Sequence, residues 1–200
     1  MAQFYHGTIN IPFTRNLAGV RVIIDQGRPE TWPQIFQIYE KFRKIGTVFG
    51  KDEMPTLDSF CDAMKDQFVL VAKDESSDDV LGAVTFRHSP LARSTQSNHS
   101  GGYILVEPGL TNHGVGMLLA NLYTIGGMQL GFVGMLARTG AVNTKTLMYS
   151  KKTGNSFIGV IPSGMDMEKI GLADDLITYR DYTTSALYKV SVHIMNSLIS

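Results

Sequence analysis

A glycine-containing loop between a predicted strand and a predicted helix gives the clearest indication of a binding site in this sequence. The apolar run at 103–106 is stopped by a Pro-Gly pair, and a polar loop then leads to Gly114 and Gly116. Apolar residues at helical spacing begin there and predict a helix over about 114–125. Backbone N–H groups and the helix dipole favour phosphate at such a point, and glycine allows close approach. Residues 112–117 are therefore a candidate pyrophosphate site; a plain strand-to-helix turn is the alternative.

Other reactive side chains do not form a familiar catalytic or metal-binding pattern. Cys61 is the single cysteine, and no two histidines are spaced to lie on one helix face. A metal site is therefore not predicted. No Gly-x-Ser-x-Gly segment occurs, which excludes the nucleophile elbow of serine hydrolases.

The composition favours a globular protein without a basic surface. Of 200 residues, 44% are hydrophobic and 18% are charged, and the formal net charge is zero. General nucleic-acid binding needs an excess of positive charge. No apolar run approaches the ~20 residues that span a bilayer, and the N-terminus lacks a signal-peptide pattern. We expect a cytoplasmic protein that binds neither nucleic acid nor membranes, with residues 1–200 forming one domain whose core spans about 20–182.

Periodicity predicts strands and helices in mixed order around the glycine loop. Strands are predicted at 20–24, 68–72, 80–87, 103–106, 132–137, 157–161 and 172–179. Helices are predicted from about 29 to 45, and at 57–65, 114–125, 143–153 and 183–199. The Gly126-Gly127 pair is expected to weaken or end the third helix, and Pro162 to close the strand before it. The order indicates an α+β or α/β fold, antiparallel early and locally parallel around 103–137.

Three segments, in this order, resemble motifs of the GCN5-related N-acetyltransferase superfamily. Residues 104–116 are similar to its acyl-CoA motif and keep both glycines, although Thr111 stands where Gln or Arg is usual. Residues 131–155 are similar to the second motif, a strand followed by Asn143 opening a helix. Ser150 occupies the position of the usual tyrosine there, with Tyr149 one residue earlier. Residues 158–162 match the following strand. The resemblance covers about 68–182.

This resemblance implies a mixed, mostly antiparallel, twisted sheet that is splayed at the central strand, flanked by helices and followed by a C-terminal helix. It implies acetyl-CoA as the cofactor. The pantetheine arm would lie along 104–106, the diphosphate on backbone N–H groups at 112–117, and Asn143 would approach from the other side. The implied cofactor-binding residues are Ile104, Leu105, Val106, Asn112, His113, Gly114, Val115, Gly116, Met117 and Asn143.

Acetyl transfer to an amine benefits from a proton donor for the leaving thiolate and a base for the amine. Tyr149 or Ser150 is the candidate acid, and the alternative for Tyr149 is a core aromatic residue. His99 is the candidate base because an imidazole has a suitable pKa, and the alternative is a solvated loop histidine. Glu107 is a second candidate base, expected to face solvent.

The implied function is acetyl-CoA-dependent N-acetylation of a small-molecule amine or amino acid. The departures at Thr111 and Ser150 keep a non-catalytic acyl-CoA-binding or sensor module open, and a protein N-acetyltransferase is a further alternative. The acceptor site is expected between the first two helices and the 89–100 loop, lined by Tyr39, Phe42, Arg43 and Phe49. Two apolar faces on the predicted terminal helix would suit a homodimer.

Overall fold

A computed structural model of the protein describes residues 10–92, 98–110 and 113–182. The strands in these ranges are β1 Phe13–Leu17, β2 Val20–Gln26, β3 Phe68–Asp74, β4 Val80–His88, β5 His99–Gly101, β6 Ile104–Val106, β7 Gly134–Gly140, β8 Ser156–Met167 and β9 Gly171–Asp181. The helices are α1 Trp32–Ile45, α2 Leu57–Met64, α3 Val115–Gln129 and α4 Thr144–Lys152. Thr111, Asn112 and the helix predicted at 183–199 lie outside the described residues.

The strands form one mixed sheet in the order β1-β2-β3-β4-β5-β7-β9-β8, with β6 paired to β4. Every pairing is antiparallel except that of β5 with β7, which is parallel. This confirms the mostly antiparallel sheet and its local parallel pairing. No helix in the described ranges is long and apolar enough to cross a membrane.

The sheet divides beside β4. One part of β4 pairs with β6, from Gly82 opposite Val106 to Val84 opposite Ile104, and its end pairs with β5. β7 pairs with β5 only through His99 opposite Gly134 and Ser100 opposite Met135, and it does not pair with β6. β6 and the later part of β7 therefore face each other across a gap, each with an edge of backbone groups that no described strand occupies. The splay predicted at the central strand is confirmed.

The break between β5 and β6 has a local cause at Gly102. A Cβ atom at Gly102 would lie 2.0 Å from the Thr85 carbonyl oxygen, so only glycine fits this approach. The next backbone N–H, that of Tyr103, donates to Thr85 Oγ1 at 3.0 Å instead of to a strand carbonyl. The ladder is interrupted here, at the closed end of the gap.

Apolar clusters cover both faces of the sheet and fix the helices. α3 packs on one face, where the buried residues include Val22, Leu70, Val84, Phe86, Leu119 and Leu122. α1 and α2 pack on the opposite face, where they include Ile35, Ile38, Phe60, Val71, Ala83 and Leu105. The alternation along β4 explains this division, since successive side chains of a strand point to opposite faces.

Two predicted boundaries are wrong. α3 continues through Gly126 and Gly127 to Gln129, where these glycines allow close packing. A Cβ atom at Gly126 would lie 2.9 Å from Phe86 Cζ, and one at Gly127 would lie 2.7 Å from Tyr182 Cε2. β8 continues past Pro162 because the strand register shifts between Ile161 and Met165, and a bulge tolerates proline.

Candidate functional site

The first turn of α3 presents backbone N–H groups that can donate to an anion. Gly114 is the N-cap with a φ of 83°, a left-handed conformation that favours glycine, and no side chain caps the helix. The N–H groups of Val115, Gly116 and Met117 precede the first bond of the helical ladder, Leu118 N to the Gly114 carbonyl at 2.9 Å. No acidic residue stands in this turn. The positive end of the helix dipole is therefore available to a phosphate.

This helix start lies at the open end of the gap between β6 and β7. A Cβ atom at Gly116 would be 3.6 Å from Val106 Cγ2, so α3 begins against the last residue of β6. Leu105 is buried among the α1 and α2 residues, and Ile104 and Val106 pack toward α3. The predicted residues of β6, like the buried Val115, would therefore act through their backbone groups.

Gap and helix start together fit an acyl-CoA molecule. A pantetheine arm carries amide groups that can pair with strand edges, and a diphosphate matches a helix N-terminus. Asn143 is the N-cap of α4, where its Oδ1 accepts from Thr146 N at 3.2 Å, and this bond does not use the side-chain nitrogen. His113 is partly buried just before Gly114, with its backbone N–H donating to the Leu110 carbonyl at 3.3 Å.

The two candidate acids, Tyr149 and Ser150, are neighbours on α4. The Ser150 side chain is buried, whereas the Tyr149 hydroxyl is a buried group without a hydrogen-bond partner among the described residues. Burial raises the pKa of Tyr149 to about 12, and the Arg180 guanidinium acts in the opposite direction. The Tyr149 hydroxyl is therefore protonated at neutral pH and can donate a proton.

Arg180 is a buried cation that the sequence analysis missed. Its side chain is 2% exposed on β9, its Nη2 contacts Met135 Sδ at 3.8 Å, and its guanidinium lies 5.8 Å from the Tyr182 ring centre. All Asp and Glu residues of the chain are described, and none is within ion-pair distance of Arg180. Burial lowers the pKa of Arg180. The strand pattern of the sequence does not distinguish this buried arginine from an exposed one.

The candidate base lies on the other face of the sheet. Ser100 bonds to Tyr182 in the α3 cluster, so the adjacent His99 points to the opposite face, where its ring lies 5.7 Å from that of Tyr179. Tyr149, near Arg180, is on the α3 face. The structure therefore places the candidate acid and base on opposite faces of the sheet, near the closed end of the gap.

Glu107 does not face solvent as a lone carboxylate. Lys41 Nζ on α1 lies 2.8 Å from its Oε2 and 2.9 Å from its Oε1, and the backbone N–H of Glu107 donates to the Leu81 carbonyl. This ion pair fixes the β6-to-α3 connection to α1. Within the described ranges, no group of three or more His, Cys, Asp or Glu side chains is placed to hold a metal ion.

The predicted lining of the acceptor site stays a prediction. Tyr39 and Phe49 are core residues between α1, α2 and the sheet, and Arg43 pairs with Glu40 at 2.6 Å. Glu53, Arg87 and Tyr103 also lie near the closed end of the gap on this face. The Tyr103 hydroxyl donates to Glu53 Oε1, and the Arg87 guanidinium lies 5.8 Å from the Tyr103 ring centre.

No protein-family model and no curated protein sequence matches this chain. Several solved structures, in contrast, are similar to it in fold. A GCN5-related N-acetyltransferase from Kribbella flavida aligns with a TM-score of 0.69 at 17% identity, covering 80% of this chain and 97% of that chain. The yncA protein of Salmonella typhimurium, solved with its cofactor acetyl-CoA, aligns with a TM-score of 0.69 at 16% identity, covering 82% and 96%.

A ribosomal-protein-alanine N-acetyltransferase from Brucella melitensis is similar to the same extent. It aligns with a TM-score of 0.68 at 16% identity, covering 79% of this chain and 98% of that chain. The chain therefore has the fold of the GCN5-related N-acetyltransferases, which confirms the fold that the sequence motifs imply.

Proposed function

We propose that this protein is an acetyl-CoA-dependent N-acetyltransferase that moves an acetyl group directly to the amine of a small molecule or amino acid. One observation carries the proposal: a gap between β6 and the later part of β7, whose facing edges pair with no strand in the described part of the chain, ends at a helix N-terminus without a side-chain cap. Backbone groups of the strand edges can pair with an extended molecule that lies in this gap, and the helix N-terminus can bind a diphosphate at the end of that molecule. The similarity in fold to acetyltransferases, one of them solved with acetyl-CoA, supports it.

The backbone around the gap would bind the cofactor, and the proton donor and acceptor would act from opposite faces of the sheet. Amides at the start of α3 would bind the diphosphate, and the edges of β6 and β7 would pair with the arm. When bound, acetyl-CoA supplies an activated thioester as the acetyl donor. Tyr149 holds a proton on Oη that can be given to the departing sulfur, and His99 on the opposite face can accept a proton from the amine.

A thiol-release assay tests the proposal. The full-length protein is incubated with acetyl-CoA and a panel of small amines, amino acids and peptides, and coenzyme A is quantified together with the acetylated product. We expect product and coenzyme A in equal amounts with at least one small acceptor. An absence of both turnover and coenzyme A binding would reject the proposal.

A non-catalytic acyl-CoA-binding module remains the second candidate, because Ser150 replaces the usual tyrosine and its side chain is buried. Tight coenzyme A binding without turnover of any acceptor would favour that function. Turnover that is lost in Tyr149→Phe, with coenzyme A binding retained, would exclude it. Selective acetylation of peptides over small amines would favour a protein acceptor.

A further inference from the structure

We propose that the acceptor is a free α-amino acid, whose amine is bound by Glu53 and whose carboxylate is bound by Arg87. This inference rests on the proposed function and identifies its substrate class. It follows from the positions of the Glu53 carboxylate and the Arg87 guanidinium. Both lie against the Tyr103 ring, and they do not form an ion pair with each other.

Glu53 is held in a fixed position although it lies in the connection between α1 and α2. Its side chain accepts from the Tyr103 hydroxyl, its carbonyl accepts from the Tyr39 hydroxyl, and its N–H donates to the Gly50 carbonyl at 3.1 Å. The same connection is tied to β8, since Lys51 Nζ lies 2.6 Å from Asp166 Oδ2 and Lys51 N donates to the Asp166 carbonyl at 2.8 Å. The carboxylate is thus preorganised for a ligand.

Arg87 provides the opposite charge near the end of β4. Its residue partner across the ladder is Gly101 of β5, and its side chain is partly buried over the Tyr103 ring. The Arg87 Nε is buried and has no hydrogen-bond partner among the described residues, and no Asp or Glu of the chain lies within ion-pair distance. A guanidinium is a planar fork that matches a carboxylate.

Glu53 is equally without a counterion in the described part of the chain. No Lys or Arg there lies within ion-pair distance of it. Partly buried charges that lack a counterion are costly, and the cost falls when a ligand supplies complementary charges. A simple amine would satisfy Glu53 and leave Arg87 unpaired, whereas an amino acid carries one group for each.

The position of this pair agrees with the reaction. Tyr103 directly follows the break at Gly102, at the closed end of the gap, and it lies on the face that also presents His99. An amine bound at Glu53 is therefore on the face of the candidate base and opposite Tyr149. Phe49 packs edge-on against the Tyr103 ring at 5.7 Å and keeps that ring in place.

The test compares each of a set of L-α-amino acids with its carboxamide and its decarboxylated amine, using acetyl-CoA and the full-length protein. For the preferred amino acid we expect kcat/KM to exceed that of its carboxamide by about 10- to 100-fold, the range for a charge-assisted hydrogen bond. Arg87→Met should lower kcat/KM for the amino acid far more than for its carboxamide, and should therefore remove most of this preference. Glu53→Gln should lower kcat/KM for acid and carboxamide alike.

Arg21→Met and Glu75→Gln are the matched controls, because these residues form an exposed ion pair on the β2 side of the sheet, 3.0 Å apart. Arg87→Lys keeps the charge and should retain part of the preference. Equal turnover of acids and carboxamides by the wild type would overturn the inference without any variant. Equal losses for both substrates in Arg87→Met would also overturn it, since that is the pattern of a structural role. Absence of coenzyme A binding in parallel calorimetry would instead reject the proposed function.

Discussion

A single charge placed in the first turn of α3 should separate helix stability from cofactor binding. Gly116 is the second residue of the helix, and a Cβ atom there would make only an ordinary contact, 3.6 Å from Val106 Cγ2. Asn or Asp therefore fits at this position. Gly116→Asp and Gly116→Asn have the same shape and differ in one negative charge, so their comparison isolates electrostatics.

The expected magnitude follows from Coulomb's law. A carboxylate about 5 Å from a phosphate charge, at an effective dielectric constant of about 20 to 40, costs about 2–3 kcal/mol. Gly116→Asp should therefore bind coenzyme A about 30- to 150-fold more weakly than Gly116→Asn. The same charge interacts favourably with the helix dipole by about 0.3–1 kcal/mol, so the Asp variant should be the more stable of the two.

Isothermal calorimetry gives the dissociation constants, and urea melts give the free energies of unfolding. The ratio of dissociation constants should shrink as salt is raised, because exposed charges are screened. Equal coenzyme A affinity in the Asp and Asn variants, with both folded, would refute the assignment of the diphosphate to this turn.

Three further perturbations test other parts of the structure. Tyr149→Phe should lower kcat about 100-fold with coenzyme A affinity unchanged, because it removes the proton donor. The stability of this variant should change by less than about 1 kcal/mol, because the hydroxyl has no hydrogen-bond partner among the described residues. Stability should fall as the pH rises above about 10, by about 1.4 kcal/mol per pH unit for each buried tyrosine, since the unfolded chain releases phenolic protons that the fold retains. Arg138→Met should cost about 3 kcal/mol of stability, because the fully buried Asp175 carboxylate bonds to Arg138 Nε.

Each of these has a control and a contradicting result. Wild-type kcat in Tyr149→Phe would remove Tyr149 from the chemistry. The alkaline slope in urea melts should be shallower in Tyr149→Phe. An unfolding midpoint constant from pH 8 to 11 would contradict the pKa values that burial raises at Tyr39, Tyr103, Tyr123, Tyr149 and Tyr182. Lys65→Met removes an exposed pair and should leave stability nearly unchanged. A similarly small change in Arg138→Met would contradict the role of the Arg138–Asp175 pair.

Local signals were enough to predict the parts of the site that depend on neighbouring residues. The helix start at Gly114 follows from glycine and the apolar spacing after it, and the α4 start follows from Asn143 as a cap. Gly46, the C-cap of α1, and Gly154, the residue after the Thr153 C-cap of α4, adopt left-handed conformations, with φ of 72° and 81°. These features depend on only a few residues of chain.

Features that depend on distant residues could not be predicted in this way. Gly126 and Gly127 look like helix breakers until Phe86 and Tyr182 pack against them. Glu53 and Arg87 lie 34 positions apart and have no motif, and only the position of Tyr103 in the folded sheet brings them together. Arg180 alternates along β9 like any strand residue, and its burial depends on α3 and α4.

Nuclear magnetic resonance of the 15N-labelled protein during a coenzyme A titration reports on individual backbone amides and therefore shows whether the start of α3 binds the diphosphate. We expect the largest amide shifts at Val115, Gly116 and Met117, with further shifts along the facing edges of β6 and β7. No shifts at saturating coenzyme A, or shifts confined to residues away from this gap, would contradict binding at this site.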